Sequence, residues 1–144
     1  MTARLLIAAT IVILLGAENP KEDDAAKDKD KLRGTWKLTS GTVDGVDMTE
    51  ELVKQRFEAT IAEDKITLGV RGDMATSPLE IDPTSKPKKF DILVSLGIYE
   101  LKGDELRVCL GGKTRPTEFT SKAGSERLLF VFKRVKEKPG NKPS

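Results

Sequence analysis

The 144-residue chain contains no histidine and a single cysteine, Cys109. The absence of histidine removes the commonest general base and the commonest metal ligand together. With one cysteine no intrachain disulfide can form, so the fold must depend on packing alone. A net charge of +2 gives no support for nucleic-acid binding. We therefore expect a protein that is not an enzyme and that uses no metal and no cofactor.

The longest apolar run lies at the amino terminus. Residues 5–17 form 13 uncharged positions between Arg4 and Glu18. A bilayer-spanning helix needs about 20 apolar residues, so this run is short for a permanent anchor. It is typical of the hydrophobic region of a signal peptide. We predict a signal peptide over residues 1–17 and an exported protein, periplasmic, in the cell envelope or secreted, with no membrane span after cleavage. An uncleaved anchor is the alternative.

Charge dominates the next segment. Ten of the 14 residues from 18 to 31 are charged, and none is large and apolar. Such a segment cannot bury enough surface to offset its ordering entropy. We predict a charged flexible linker over residues 18–30, helical only where it runs into Leu32, and a disordered tail over 137–144. The folded domain then covers residues 31–136, which is enough for one core and too short for two.

Within this domain apolar residues mostly recur at every second position, which predicts strands. Short turns near residues 63–64 and 103–104 separate pairs of such runs and predict two hairpins. Residues 47–56 instead indicate a short helix after the first strand. We predict a mainly β fold, a small antiparallel up-and-down barrel of about eight strands, with a two-sheet sandwich as the alternative.

The inner face of this barrel is predicted to be apolar. The residues assigned to it are Trp36, Leu38, Phe57, Ile61, Ile66, Leu68, Val70, Ile81, Phe90, Ile92, Val94, Tyr99, Leu106, Val108, Leu110, Phe119, Phe130 and Phe132. None of them is charged, so a charged ligand deep inside is disfavoured. Alternation assigns faces and not volume, so two interpretations stay open: a filled core and a pocket for a small apolar molecule.

A Gly-x-Trp sequence at Gly34 and Trp36 opens the first strand. It resembles the opening signature of lipocalins and their calycin relatives. In those families the tryptophan closes one end of the barrel and an arginine of the last strand packs over it. The resemblance therefore implies a barrel-closing role for Gly34, Trp36 and Arg134. The Thr-Asp-Tyr motif of the classical lipocalins is absent, which argues against retinoid-type transport.

Further segments resemble an uncharacterised lipocalin-like domain family that is abundant in planctomycete bacteria. The matching segments include residues 34–38, 43–45, 81–83, 98–101, 103–109 and 115–119. Their order and spacing cover residues 30 to 136. The resemblance implies a lipocalin-like fold and an envelope or secreted location, and it implies no reaction.

Three residues are the candidate ligand contacts: Tyr99, Arg115 and Phe119. They fall near the predicted barrel mouth, where residues 115–118 form a polar patch. The alternative is a strand start with an ion pair at the rim. We expect an exported lipocalin-like binding module for a small apolar ligand at this mouth, and a monomer. The alternative function is an envelope protein–protein interaction or structural domain with a filled core and no ligand.

Cys109 is out of phase with the inward residues and in line with Glu105 and Arg107. Arg107 would lower the pKa of the thiol and favour the thiolate. A catalytic cysteine also needs a base, and no histidine is present to serve as one. An inert, partly buried thiol is the expected state, and a redox-sensitive or dimer-linking thiol is the alternative.

Overall fold

A computed structural model of the protein describes residues 20–55, 57–70 and 72–136. The predicted signal peptide (1–17) and tail (137–144) lie outside the described residues. In chain order the elements are α1 (Pro20–Leu32), β1 (Gly34–Val43), β2 (Val46–Asp47), α2 (Glu50–Lys54), β3 (Glu58–Ala62), β4 (Lys65–Val70), β5 (Asp73–Asp82), β6 (Lys88–Ile92), β7 (Gly97–Lys102), β8 (Glu105–Leu110) and β9 (Leu128–Arg134).

Eight strands close into a barrel. β1 pairs with β3, each strand from β3 to β8 pairs with the one that follows it, and β9 pairs with β1, all antiparallel. The short strand β2 adds to β1 outside this ring. The predicted small up-and-down barrel is confirmed and the sandwich is wrong. Closure pairs the first strand with the last, which removes the open edges that a flat sheet would present.

The two predicted hairpins and the short helix are present. β3 and β4 meet at a turn where Glu63 has a positive φ of 55°, and β7 and β8 meet at Gly103, with a φ of 59°. Helix α2 lies within the predicted segment. Its cap is Thr49, whose Oγ1 accepts a hydrogen bond from the Leu52 amide at 3.3 Å. Glu50 and Glu51 occupy the first turn, where the helix dipole favours negative charge.

Most of the residues predicted to point inward belong to one apolar core. Two do not. Val94 is 79% exposed, because the backbone bridge between Ile92 and Ser95 ends β6 and turns the chain before Val94 is reached. Phe119 lies in the loop between β8 and β9 and is half-buried against the outside of the barrel. The alternation of apolar residues in the sequence continues past the turn at Val94 and into the loop at Phe119, so it predicted inward positions where the chain no longer forms a strand.

The charged segment before the barrel is a helix, which corrects the prediction of a flexible linker for the residues from Pro20 onward. Only its last turn was predicted to be helical. Leu32 is 1% exposed and belongs to the barrel core, and Asp28, one turn earlier, is 7% exposed. The last turn of α1 therefore has tertiary contacts to offset its ordering entropy, which composition alone does not reveal.

The loop of residues 111–127, between β8 and β9, covers the outer face of β7 and β8. Ile98 and Cys109 face each other on that side and are both fully buried. The Cys109 thiol donates to the Thr120 carbonyl at 3.5 Å, and the Arg107 guanidinium lies 5.6 Å from the centroid of the Phe119 ring. A second, smaller apolar layer thus lies outside the barrel.

Candidate functional site

The lumen of the barrel is almost completely filled. Its residual cavity measures about 30 Å³. Apolar side chains line it: Phe57, Ala59, Ile61, Ile66, Leu68, Phe90, Ile92, Leu106, Val108, Leu110, Phe130 and Phe132. Ligand pockets usually measure about 300–1,000 Å³, so this space is at least tenfold too small for a drug-sized molecule. Of the two interpretations of the inner face, the structure has the filled core.

The two ends of the barrel differ, and we name them after the helix at each. At the α1 end, Trp36 is fully buried and its Nε1 donates to the Leu32 carbonyl at 2.8 Å. The Arg134 guanidinium carbon lies 4.2 Å from the centroid of the Trp36 ring. The same guanidinium donates to the carbonyls of Arg33, at 2.9 Å, and of Lys31. Arg134 thus covers the tryptophan and also satisfies carbonyls at the end of α1.

Gly34 makes this approach possible. Its φ is +133°, and a Cβ atom there would lie 3.1 Å from Arg134 Nη1. A larger residue would be strained in its backbone and would crowd the guanidinium. The structure therefore brings Gly34, Trp36 and Arg134 together at one end of the barrel, in the arrangement that the resemblance implies.

A polar network next to this cap was not predicted. The Tyr99 hydroxyl donates to Asp28 Oδ2 at 2.5 Å, and Lys88 Nζ donates to the same oxygen at 2.9 Å. Burial acts most strongly on the pKa of Asp28 and raises it, but the hydrogen bonds from Tyr99 and Lys88 together outweigh it, so the net pKa is lowered. Burial, and then the bond to Asp28, raise the pKa of Tyr99. The network is therefore a carboxylate held by a neutral phenol and an ammonium group.

Arg115 is held in a different network. Its guanidinium contacts both carboxylate oxygens of Asp91, at 2.6 and 3.0 Å, and donates to the Gly97 carbonyl at 2.7 Å. Burial acts most strongly on the pKa of Asp91 and raises it, but the Arg115 hydrogen bond and the Gly97 amide lower it overall. β6 and β7 pair directly at only two register positions, so this ion pair joins the strands where the backbone ladder stops. The ion pair of the alternative interpretation is therefore present, but the strand start is wrong, because residues 111–127 form a loop.

Tyr99 and Phe119, in contrast, do share a site. They line an open groove of about 410 Å³, which we call the outer groove, beside the connection between β5 and β6. Its full lining is Pro83, Ser85, Lys86, Pro87, Lys88, Tyr99, Glu100, Leu101, Lys102 and Phe119. Arg115 is not among these residues, so the predicted grouping of three ligand contacts is reduced to two. The volume falls within the range of small-molecule sites.

The α2 end carries exposed apolar side chains. Six large ones lie there: Val43, Val46, Leu52, Met74, Leu93 and Val94. We call this set the apolar rim. Met74, Leu93 and Val94 are the most exposed, at 72, 74 and 79%. Of the strongly exposed large apolar residues in the described part of the chain, only Val135 lies at the α1 end. Six exposed apolar side chains at one end of the barrel make that end a candidate contact surface.

A second groove opens beside the rim, between β1 and α2. Its volume is about 620 Å³. The lining residues are Thr39, Ser40, Gly41, Thr42, Asp47, Met48, Glu50, Val53 and Lys54. Hydroxyl and charged side chains make up most of this set, so the groove is more polar than the rim next to it.

Cys109 is not a reactive thiol in this environment. It is fully buried, and burial raises its pKa despite the Thr120 hydrogen bond and the charge of Arg127. The prediction that Arg107 favours the thiolate is wrong, because Arg107 contacts Glu100 and Phe119 instead. No group of three cysteine, aspartate or glutamate side chains among the residues described is placed to hold a metal ion.

The fold and these sites define a class: a small, closed antiparallel β-barrel with a filled interior, capped by a helix at one end and apolar at the rim of the other. No family model, curated protein or solved structure matches the chain. Across residues 20–55, 57–70 and 72–136, the helices are all too short or too polar to cross a membrane.

Proposed function

We propose that this protein is an exported lipocalin-like domain that acts through its outer surface, docking by its apolar rim on a protein partner in the cell envelope. The apolar rim is the observation that carries the proposal. The signal-peptide pattern of residues 1–17 supports export. The closure by Trp36 and Arg134 supports the lipocalin-like resemblance. The filled lumen supports a role for the surface rather than the interior.

The rim has the chemistry of an interface centre. Each large aliphatic side chain that moves from water into an apolar contact contributes about 1.5–3 kcal/mol when it is fully buried. The centres of protein interfaces are depleted of charge and enriched in apolar side chains, including methionine. Leu93 and Val94 project together from one turn, and Met74 lies beside the turn between β4 and β5. The partner we expect therefore presents an apolar patch.

Site-specific photo-crosslinking tests this proposal in the cells that make the protein. A photoreactive amino acid replaces Val94 in the full chain, and crosslinked products are compared with and without Met74→Ser and Leu93→Ser. We expect one discrete crosslinked partner band that the two serine substitutions abolish. These side chains are strongly exposed, so the substitutions should leave folding intact.

Val135→Ser is the matched control, because Val135 is an exposed valine at the opposite end. It should leave the crosslinked band unchanged. A protein that stays uncrosslinked, or a band that persists in the rim variant, would contradict the proposal.

A second candidate function is the binding of a small, mainly apolar ligand. The outer groove is the observation that favours it, because Tyr99, Leu101 and Phe119 line a space of about 410 Å³. The lumen has no room for such a molecule. The ligand would therefore lie in the groove beside the connection between β5 and β6, and not in the lumen as in a hollow barrel.

A further inference from the structure

Building on the second candidate function, we infer that the outer groove binds an amphipathic anion: a molecule with an apolar body and one carboxylate or sulfonate group. The inference adds the chemical class of the ligand and the residues that would select it. It depends on the shape of the groove, on its charge, and on a carboxylate that the same donors already hold.

The apolar part of the groove is preformed. Pro83, Pro87, Leu101 and Phe119 supply hydrophobic surface. The ring of Phe119 is positioned by the Arg107 guanidinium, 5.6 Å from its centroid. Because these groups are already placed, little ordering entropy would be lost when a ligand binds. An aliphatic chain or an aromatic ring system fits this surface.

The charged part of the groove favours an anion. Three lysines line it, Lys86, Lys88 and Lys102, against a single carboxylate, Glu100. Glu100 is itself neutralised, because Lys102 Nζ lies 3.1 Å and Arg107 Nη1 3.6 Å from its oxygens. No ion pair forms at Lys86 within the residues that the structure describes. Positive charge is therefore in excess at the edge of an apolar surface.

Asp28 is a carboxylate that two residues of the groove already bind. Lys88 and Tyr99, both in the groove lining, already hold the Asp28 carboxylate at 2.9 and 2.5 Å. Lys88 is committed to that contact. Lys86 has no ion pair among the described residues, and Lys102 shares Glu100 with Arg107, so these two lysines are the ones that an acidic group of a ligand would meet. A cation would meet repulsion here, and an anion would gain charge-assisted hydrogen bonds that a neutral apolar molecule would not.

Two fluorescent probes that differ by one charged group test the inference on the full chain. They are 1-anilinonaphthalene-8-sulfonate and its uncharged analogue N-phenyl-1-naphthylamine. We expect both to bind, with the sulfonate binding more tightly. Lys86→Met together with Lys102→Met should weaken the sulfonate about tenfold and change the neutral probe less than about twofold. Phe119→Ser should weaken both probes.

Lys37→Met is the matched control, because Lys37 is an exposed lysine on β1, away from the groove. It should leave both affinities unchanged. If neither probe binds, the second candidate function itself fails. If both bind but the double lysine variant weakens them equally or not at all, or if Lys37→Met has the same effect as that variant, a ligand site stands and the anion inference is overturned.

Discussion

The two ends of the barrel are formed by the same strands but differ in how much apolar surface they bury. At the α1 end, Trp36 and Leu32 are buried and Arg134 closes over them through a ring contact and carbonyl bonds. At the α2 end, Leu93 and Val94 are left largely in water. The first arrangement lowers the free energy of the folded chain, and the second leaves apolar surface available to a partner. Under the proposed function, the stabilising contacts and the partner surface lie at opposite ends of the molecule.

The largest expected difference between the ends concerns the core tryptophan. Trp36→Ala removes a fully buried ring and should lower the free energy of unfolding by about 3–5 kcal/mol. Leu93→Ala, at the exposed rim, should change it by less than about 0.5 kcal/mol. Urea unfolding followed by circular dichroism measures both, since Trp36 is the only tryptophan and its variant loses the fluorescence signal. Equal losses of unfolding free energy in the two variants would contradict the proposed difference between the two ends.

An intermediate effect is expected at the Asp28 network. The pKa of Asp28 is lower in the folded protein than its ordinary value of 3.8. Its stabilisation is therefore present above that value and is lost as pH falls through the folded-state pKa. Asp28→Asn should lower the free energy of unfolding by about 1–3 kcal/mol at pH 7. The difference from the natural chain should shrink as pH falls below 3.8.

Urea unfolding at a series of pH values between neutrality and strong acid measures this dependence. Glu118→Gln, an exposed substitution in the loop between β8 and β9, serves as the control and should be nearly neutral throughout. A constant gap between Asp28→Asn and the natural chain at every pH would mean that ionisation of Asp28 does not contribute to the docking of α1.

The smallest of these effects is expected at Arg134. Arg134→Met keeps an unbranched apolar stem but removes the cation over Trp36 and the donors to two carbonyls. We expect a loss of about 1–2 kcal/mol, seen as a lower thermal midpoint and a shift in Trp36 fluorescence. Lys133→Met, an exposed neighbour on the same strand, should leave both unchanged. If Arg134→Met and Lys133→Met have the same thermal midpoint, the contacts of Arg134 do not stabilise the closed barrel.

Local patterns were sufficient for much of the barrel. Alternation and turn residues predicted the hairpins around Glu63 and Gly103, since a strand pair joined by a tight turn is decided by neighbouring residues. The contact of Arg134 with Gly34 and Trp36 was implied only by the family resemblance. Arg134 is on the last strand and the other two are on the first, so no local sequence pattern links them. Oligomeric state, export and partners stay predictions.

The parts that sequence reasoning missed depend on long-range contacts between polar groups. Asp28 lies among many similar charged residues, and only the fold brings it to Tyr99, 71 positions away. The one local signal is that Asp28 and Leu32 lie four residues apart and so share a helix face. Arg115 was placed at a ligand site because no sequence pattern shows that Asp91 would engage it. Lumen volume likewise depends on how side chains interdigitate.

The central claim is that the lumen is filled and that the protein acts through its outer surface. A crystal structure of the protein isolated from its own cells without refolding tests this claim most directly. We expect the side chains of Phe57, Phe130 and Phe132 to fill the lumen, with no density for a bound molecule among them. Continuous ligand density between those rings, with the side chains moved apart, would contradict this claim and would show that the lumen binds a ligand.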